Sequence, residues 1–134
     1  MGGLDFRLST SLFRTDFTKP DVWREIVRAI NSPSPEGFLA DVTLIDGRSL
    51  AGYSAEALTK KVSGHHAIFF VADTITMEHR DRPILCIDLR ASRQPFRVIP
   101  GELWAVENNL SLANMDYEEF ADAVDAEGIF RGFS

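Results

Sequence analysis

Four aspartates lie at the ends of predicted strands, where carboxylates are well placed to do chemistry. Asp16 follows LFRT, Asp46 follows VTLI, Asp73 follows FFVA, and Asp88 lies within ILCID. Ligands of open α/β sheets bind beyond the carboxyl ends of the strands, and carboxylates gathered there can hold Mg²⁺. Aspartate is also common in the turn or helix N-cap that follows a strand. We favour that structural role and keep the four as candidate catalytic residues.

A second set of residues has the chemistry to bind a ligand. Residues 80–97 hold five arginines against two aspartates, a local charge of +3 that can bind an anion or face an acidic segment. The segment ENNLSLANMD places three asparagines near two acids between two predicted helices. Asparagine in such a connection more often caps a helix end, and we favour that role. The candidate ligand-binding residues are Arg14, Glu107, Asn108, Asn109 and Asn114.

Several established motifs are missing from the sequence. It contains no HExxH or CxxC metal spacing, no GxSxG nucleophile elbow, and neither GxGxxG nor GxxxxGK. His65 and His66 are adjacent, so on a strand they would point to opposite faces and chelate poorly. Cys86 lies in an apolar strand and is predicted to be a small buried hydrophobe. We therefore expect no cofactor, no bound metal and no tight divalent-cation site.

The negative charge is concentrated near the end of the sequence. The chain has 14 basic and 20 acidic residues, a net charge of −6, and residues 107–134 alone carry seven acids and one base. Bulk charge of this sign argues against nucleic-acid binding. The spacing of apolar residues over 116–124 predicts a helix that buries one face and exposes an acidic one, and such a strip can steer a basic protein partner. The candidate partner-binding residues are Glu118, Glu119, Asp122 and Asp125.

Hydrophobic periodicity and turn residues predict the elements that would carry these groups. The continuously apolar segment at 67–72 predicts a strand buried on both faces, at the centre of a sheet. Pro20 and the apolar spacing that follows it predict a helix over 20–30. The predicted strands are 11–16, 41–45, 67–72, 83–89 and 96–99, and the predicted helices are 20–30, 54–62 with Ser54 as N-cap, 100–110 and 116–124.

The alternation of these elements predicts an α/β fold, a single-domain sandwich with a mixed, mostly parallel sheet flanked by helices. The short gap between the strands at 83–89 and 96–99 allows them to pair antiparallel. The 134-residue length and 45% hydrophobic content are those of one globular domain, predicted to span 10–134 after a loose segment at 1–9. A single cysteine, no apolar run of about 20 residues and no signal-peptide pattern favour a cytoplasmic protein that neither crosses nor binds a membrane.

Parts of the chain resemble a family of small bacterial proteins described as a domain of unknown function. The resemblance rests on RTDF at 14–17, FFVAD at 69–73, VENNLSLANMDYEEFADAV at 106–124 and FRGF at 130–133, and it extends over residues 12–133. It implies a standalone domain and carries no activity, substrate or catalytic residue with it.

Three functions are compatible with these observations. The first, which we favour, is a binding or interaction protein with a protein partner, for example an immunity-like or accessory protein encoded beside that partner. The second is a small enzyme that uses the strand-end aspartates, alone or with Mg²⁺. The third is an anion or small-molecule binder that uses Arg14 and residues 80–97. Convergence of the four aspartates on one pocket would favour the enzyme, and their dispersal would favour the interaction protein.

Overall fold

A computed structural model describes residues 9–62 and 66–133, which form one six-stranded sheet with helices on both faces. The strands are β1 Thr10–Arg14, β2 Val42–Ile45, β3 Ile68–Ala72, β4 Ile84–Asp88, β5 Phe96–Val98 and β6 Ile129–Phe130. The helices are α1 Pro20–Ile30, α2 Ala55–Thr59, α3 Thr74–Glu78, α4 Leu103–Ser111 and α5 Tyr117–Ala121, with short 3₁₀ turns at Arg48–Leu50 and Pro100–Glu102. Residues 1–8 of the predicted loose segment, and His65, lie outside the described residues.

The strand order is β2-β1-β3-β4-β5-β6, and the sheet is mixed. Strand β1 pairs in parallel with both β2 and β3, and β5 pairs in parallel with β6. Strand β4 runs antiparallel to both of its neighbours. The predicted α/β class and the antiparallel pairing of β4 with β5 are confirmed. The prediction of a mostly parallel sheet holds only in part, because two of the five strand pairings described are antiparallel.

Side chains of successive strand residues enter two cores, one on each face of the sheet, because the strand period is two. Leu12 and Phe70 join the larger core with α1, α4 and α5. Phe13 and Phe69 join a smaller core that is closed by Leu58 of α2. All five residues of β3 are buried, which confirms that the continuously apolar segment lies inside the sheet.

Helix α1 has the predicted bounds. Pro20 is in its first turn, where a missing N–H costs nothing, and Trp23, Ile26 and Ile30 form its buried side. Helix α2 begins after Ser54, whose hydroxyl accepts a hydrogen bond from the Ala57 N–H at 3.1 Å, as predicted for an N-cap.

Several elements differ from the prediction. The predicted helix over 100–110 begins as a 3₁₀ turn, and that over 116–124 is only five residues long. Trp104 is half-buried and stacks on exposed Phe38 with 5.3 Å between ring centroids. Helix α3 and strand β6 have no counterpart in the prediction. Among the described residues, no helix is both long enough and apolar enough to cross a membrane.

Candidate functional site

The carboxyl ends of β2, β1 and β3 meet at one edge of the sheet, because these three strands are parallel. Arg14, Asp16, Asp46 and Asp73 all lie at this edge, at or just after the last residue of a strand. The chain leaves β1 toward β2 on one side and leaves β3 toward β4 on the other, so the strand order reverses between β1 and β3. Such a switch point is where ligands bind in open α/β sheets.

Asp88 lies at the opposite edge, because β4 runs in the reverse direction. It is buried, and its carboxylate accepts hydrogen bonds from the backbone N–H groups of Arg90, Ala91 and Arg93 at 3.0–3.2 Å. Asp88 therefore holds the loop after β4 in place. The four strand-end aspartates do not share one edge of the sheet.

Asp16 is occupied by its own loop. Its Oδ1 accepts hydrogen bonds from the N–H of Thr18 at 2.8 Å and from the Thr18 hydroxyl at 2.6 Å. Burial raises the pKa of Asp16, but the hydrogen bonds of Thr18 and Thr74 and the charge of Lys19 outweigh it and bring the pKa below its ordinary value. The carboxylate is therefore ionised and fixed, and its contacts are those of a turn.

Asp73 is the N-cap of α3 and the partner of Arg97. Its Oδ1 accepts from the Thr76 N–H at 3.1 Å, and both of its oxygens accept from the Arg97 guanidinium at 2.8 and 2.9 Å. Burial raises the pKa of Asp73, but the hydrogen bonds and charge of Arg97 and the donors of Thr76 bring it below its ordinary value. Thr76 and Pro83 also hold this cluster, since the Thr76 hydroxyl donates to the Pro83 carbonyl at 2.7 Å.

Across residues 9–62 and 66–133, no three histidine, cysteine, aspartate or glutamate side chains are arranged to hold a metal ion. At the carboxyl edge, Asp16 and Asp73 are already bound by protein donors. Asp16 and Asp73 are therefore arranged as structural acceptors.

Arg14 is a group at this edge most of whose hydrogen-bond donors have no partner in the described chain. The residue as a whole is only 8% exposed, and its two terminal nitrogens, which have no hydrogen-bond partner in the described chain, keep contact with solvent. Its Nε donates to the Asp16 backbone carbonyl at 3.2 Å. Its guanidinium carbon lies 4.3 Å from the Phe17 ring centroid and 5.0 Å from that of Trp23. Within the described part of the chain, no carboxylate comes within 4.0 Å of it.

Nearby charges act on Arg14 with opposite signs. Burial lowers the pKa of its guanidinium, the Asp46 and Asp16 carboxylates oppose that effect, and the positive charge of Arg48 adds to it. The side chain stays protonated, because arginine keeps its charge in proteins. Arg48 lies on the same aromatic ring, with its guanidinium carbon 5.4 Å from the Phe17 centroid. Two arginines and one aromatic ring thus meet at the switch point.

Arg48, Phe17 and Trp23 complete this site and were not predicted as functional residues. Arg48 follows Asp46 by two residues. The pattern of aspartates at strand ends, which indicated Asp46, could therefore also have indicated the position of Arg48. Phe17 is the last residue of the RTDF motif. Trp23 is buried on α1, and only the fold shows that it also contacts Arg14.

The arginines of residues 80–97 do not gather into one site. Arg82 binds Glu25, and Arg97 binds Asp73. Arg93 binds both Asp88 and Glu118. Two cavities of about 150 and 540 Å³ lie beside Asp88 and Arg93 at the opposite edge of the sheet. The Arg93 charge is already neutralised there, and Arg90, which also lines the smaller cavity, is exposed to solvent.

The ENNLSLANMD segment has internal partners for most of its polar groups. Glu107 is buried and accepts four hydrogen bonds, from Thr10, Asp41, Asn108 and Ser111. The Asn108 amide also donates to the Leu39 carbonyl at 3.1 Å. The Asn109 amide donates to the Ala105 carbonyl at 2.8 Å, one helical turn earlier. Asn114 is exposed in the connection to α5. The contacts are structural, but the predicted capping role is wrong for Asn108 and Asn109, which lie within α4 and bond to carbonyls away from its end.

The acidic face of α5 has the predicted orientation. Tyr117 and Phe120 are buried, Ala121 and Val124 are partly buried, and the four acids are exposed. Three of the four have polar contacts within the chain. Glu118 pairs with Arg93 at 2.6 Å, Glu119 accepts from the Asp116 N–H at 2.8 Å, and Asp125 pairs with Arg131 at 2.6 Å. Most of this strip is therefore engaged in holding its own helix and loop.

Changing Glu118 and Glu119 to glutamine and Asp122 to asparagine should leave the fold intact. Exposed ion pairs contribute about 0.2–1 kcal/mol each, and glutamine at position 119 can still accept the Asp116 N–H. The expected loss in the free energy of unfolding is about 1 kcal/mol, measured by urea denaturation. A loss above about 3 kcal/mol would contradict the exposed, weakly coupled strip described here.

Comparison with known proteins places the whole sheet within one family. No functionally curated protein matches the chain. Residues 9–133 match a family described as Domain of unknown function (DUF6924), a span that runs from the residue before β1 to the exposed Phe133 after β6. Because this match covers nearly the whole sequence, the chain belongs to the DUF6924 family.

Proposed function

We propose that this protein binds a small ligand through a phosphate or carboxylate group, and that Arg14 is the residue that anchors it. The observation that carries the proposal is a largely buried arginine whose guanidinium donates one hydrogen bond, has no carboxylate within 4.0 Å in the described chain, and keeps its two terminal nitrogens open to solvent. Buried charges in proteins are normally paired. An oxyanion supplied by a ligand would provide that pairing.

The surroundings of Arg14 favour an oxyanion bound in the plane of the guanidinium. Phe17 and Trp23 both lie against it, and its Nε–H donates to the Asp16 carbonyl. The two terminal nitrogens then form a planar fork, the arrangement that binds carboxylate or phosphate through two parallel hydrogen bonds. Arg48 adds a second positive charge beside the same ring.

The carboxylates at this edge support binding over catalysis. Asp16 and Asp73 are held by several donors each, and their pKa values lie below the ordinary value. A general acid or base works best with a pKa near the operating pH, which is the reverse of what these contacts produce. Asp46 is the acid left close to the fork, and its charge weakens the attraction for an anion.

Binding of inorganic phosphate, and separately of acetate, should be lost when the fork is removed. We suggest isothermal titration calorimetry of the wild-type chain and of Arg14→Gln. Hydrogen bonds between charged groups contribute about 1.5–3 kcal/mol, so the dissociation constant should rise at least tenfold. Arg14→Lys should recover only part of the affinity, because lysine keeps the charge and loses the fork.

Two matched variants test the position of the site. Asp46→Asn should tighten phosphate binding several-fold, because it removes the nearest unengaged acid. Arg90→Gln, an exposed arginine at the opposite edge, should leave the affinity unchanged. Equal affinities of the wild type and Arg14→Gln would contradict the proposal. So would an absence of phosphate and acetate binding at millimolar concentration in the wild type.

A further inference from the structure

The structure exposes a group of apolar side chains near the amino end of β2, at the opposite edge of the sheet from Arg14. Phe38 and Leu39 precede β2 and are 49% and 47% exposed, and Leu112, just after α4, is 70% exposed. Trp104 of α4 is half-buried beneath them. We name these four residues the Phe38 patch. Single exposed apolar residues need no explanation, whereas contiguous ones mark interaction sites.

Contacts tie the loop that carries Phe38 and Leu39 to helix α4. The Phe38 ring stacks on Trp104 with an interplanar angle of 10°. The Asn108 amide binds the Leu39 carbonyl at 3.1 Å, which ties the loop before β2 to α4. The backbone N–H of Leu112 donates to the Asn108 carbonyl, so Leu112 lies one helical turn from that contact.

Three acidic residues lie close to the patch residues along the chain. Glu36 lies two residues before Phe38, Asp41 two residues after Leu39, and Glu102 two residues before Trp104. Burial raises the pKa of Glu102, and the negative charge of Glu36 raises it further, so these two carboxylates are close to each other. Within the described chain, none of the three forms an ion pair with a basic residue inside 4.0 Å. This differs from the α5 strip, where Arg93 and Arg131 neutralise the acids.

We propose that the Phe38 patch docks a basic amphipathic helix of a partner protein. The apolar face of such a helix would cover Phe38, Leu39 and Leu112, with lysine or arginine at its margins facing Glu36, Asp41 and Glu102. Amphipathic helices bind apolar surfaces through side chains spaced at i, i+3, i+4 and i+7. Charge complementarity around the rim sets the orientation and raises the association rate.

The same charges disfavour a second copy of this chain as the occupant. A two-fold contact through one patch brings each surface against itself. Glu36, Asp41 and Glu102 of one copy would then approach the same acids of the other. Like charges that face each other across an interface are destabilising.

The test uses a synthetic helical peptide of leucine and lysine, with leucine at i, i+3, i+4 and i+7, and fluorescence anisotropy of its labelled form. A peptide of the same composition, with the leucines spread around the helix, is the control ligand. We expect the patterned peptide to bind the wild-type chain at least tenfold more tightly than the control peptide, with an affinity that falls as salt rises.

Variants locate the binding surface. Leu112→Ser with Phe38→Ser should weaken patterned-peptide binding at least tenfold, and Glu36→Gln with Glu102→Gln should weaken it several-fold and flatten its salt dependence. Ile75→Ser changes an equally exposed apolar residue elsewhere, and Glu118→Gln with Asp122→Asn changes the α5 acids. Both controls should bind as the wild type does. All patch residues changed here are exposed or half-buried, and urea denaturation confirms that each variant folds.

Three results would overturn the proposal. One is wild-type affinity in the doubly substituted Leu112→Ser, Phe38→Ser chain. Another is an equal loss in the Ile75→Ser or α5 variants, which would place binding elsewhere. The third is a dimer in sedimentation analysis that Leu112→Ser dissociates, which would identify a second copy as the occupant. Arg14→Gln should leave peptide binding unchanged, so this result does not depend on the anion site.

Discussion

Alanine at position 73 should lower the free energy of unfolding by about 3 kcal/mol. Asp73 contributes to stability in two ways, as the N-cap of α3 and as the bidentate partner of Arg97. Loss of an N-cap costs about 1 kcal/mol. Loss of one partner from a buried ion pair costs about 3–5 kcal/mol, which we reduce because both side chains keep some contact with water. Urea denaturation at pH 7 measures the sum.

Two further variants separate the cap from the ion pair. Asp73→Ser keeps a capping oxygen for the Thr76 N–H and loses the pair with Arg97, so it should be more stable than Asp73→Ala by about 1 kcal/mol. In a double-mutant cycle, Asp73→Asn combined with Arg97→Gln should cost less than the sum of the two single changes, because each single change already breaks the pair. Additive costs would show that Asp73 and Arg97 do not interact.

The pH dependence of this contribution has a definite sign. The pKa of Asp73 is lower in the folded chain than the ordinary value of about 3.9. The ion pair therefore contributes fully above that ordinary pKa and is lost as the pH falls through the lower, folded-state pKa. We expect the difference in unfolding free energy between wild type and Asp73→Asn to be constant from pH 7 to 5 and to shrink below pH 4. A difference that grows on acidification would contradict this.

Alanine at position 107 should cost about 3–5 kcal/mol, measured by the same denaturation. The Glu107 carboxylate is 3% exposed and joins the start of β1, the residue before β2, and α4. Its Oε1 accepts the Asp41 N–H at 2.7 Å, and its Oε2 accepts the hydroxyls of Thr10 and Ser111. Alanine would leave these donors unpaired and create a cavity.

Glutamine at the same position is the matched control and should cost only about 1 kcal/mol. The Asp41 N–H is a fixed donor, and the glutamine carbonyl can take the place of Oε1 in front of it. The glutamine NH₂ would then face Thr10 and Ser111, whose hydroxyls can rotate to accept instead of donate. Equal losses for the glutamine and alanine variants would show that the negative charge of Glu107, and not its hydrogen bonding, is what the fold needs.

Elements with a strong local pattern were predicted correctly, and those that depend on tertiary contacts were not. The apolar run of β3 and the spacing of α1 define those elements within a residue or less. Helix α3 has the sequence TITME, in which three β-branched residues disfavour a helix. It forms because Asp73 caps it and because the Thr76 hydroxyl binds the Pro83 carbonyl.

The candidate site could be predicted only in part, for a similar reason. The pattern of aspartates at strand ends indicated the correct edge for Asp16, Asp46 and Asp73. It could not place Asp88, because strand direction depends on pairing with distant residues and does not show in the strand itself. Arg14 can act as an anchor because Phe17 and Trp23 pack against it and because no acid lies close to its terminal nitrogens in the described chain. Both conditions arise only in the folded chain and cannot be seen in the sequence.

The position of β1 between β2 and β3 has a consequence for how the chain folds. Leu12 pairs with Phe70, nearly half the chain away, so one side of β1 has no partner until β3 has been synthesised. Such distant parallel pairings are slow to form, because a long loop must close before any contact rewards it. During synthesis, the unit β1-α1-β2 would leave the backbone groups on one side of β1 unpaired, and such an open strand edge favours aggregation of the nascent chain.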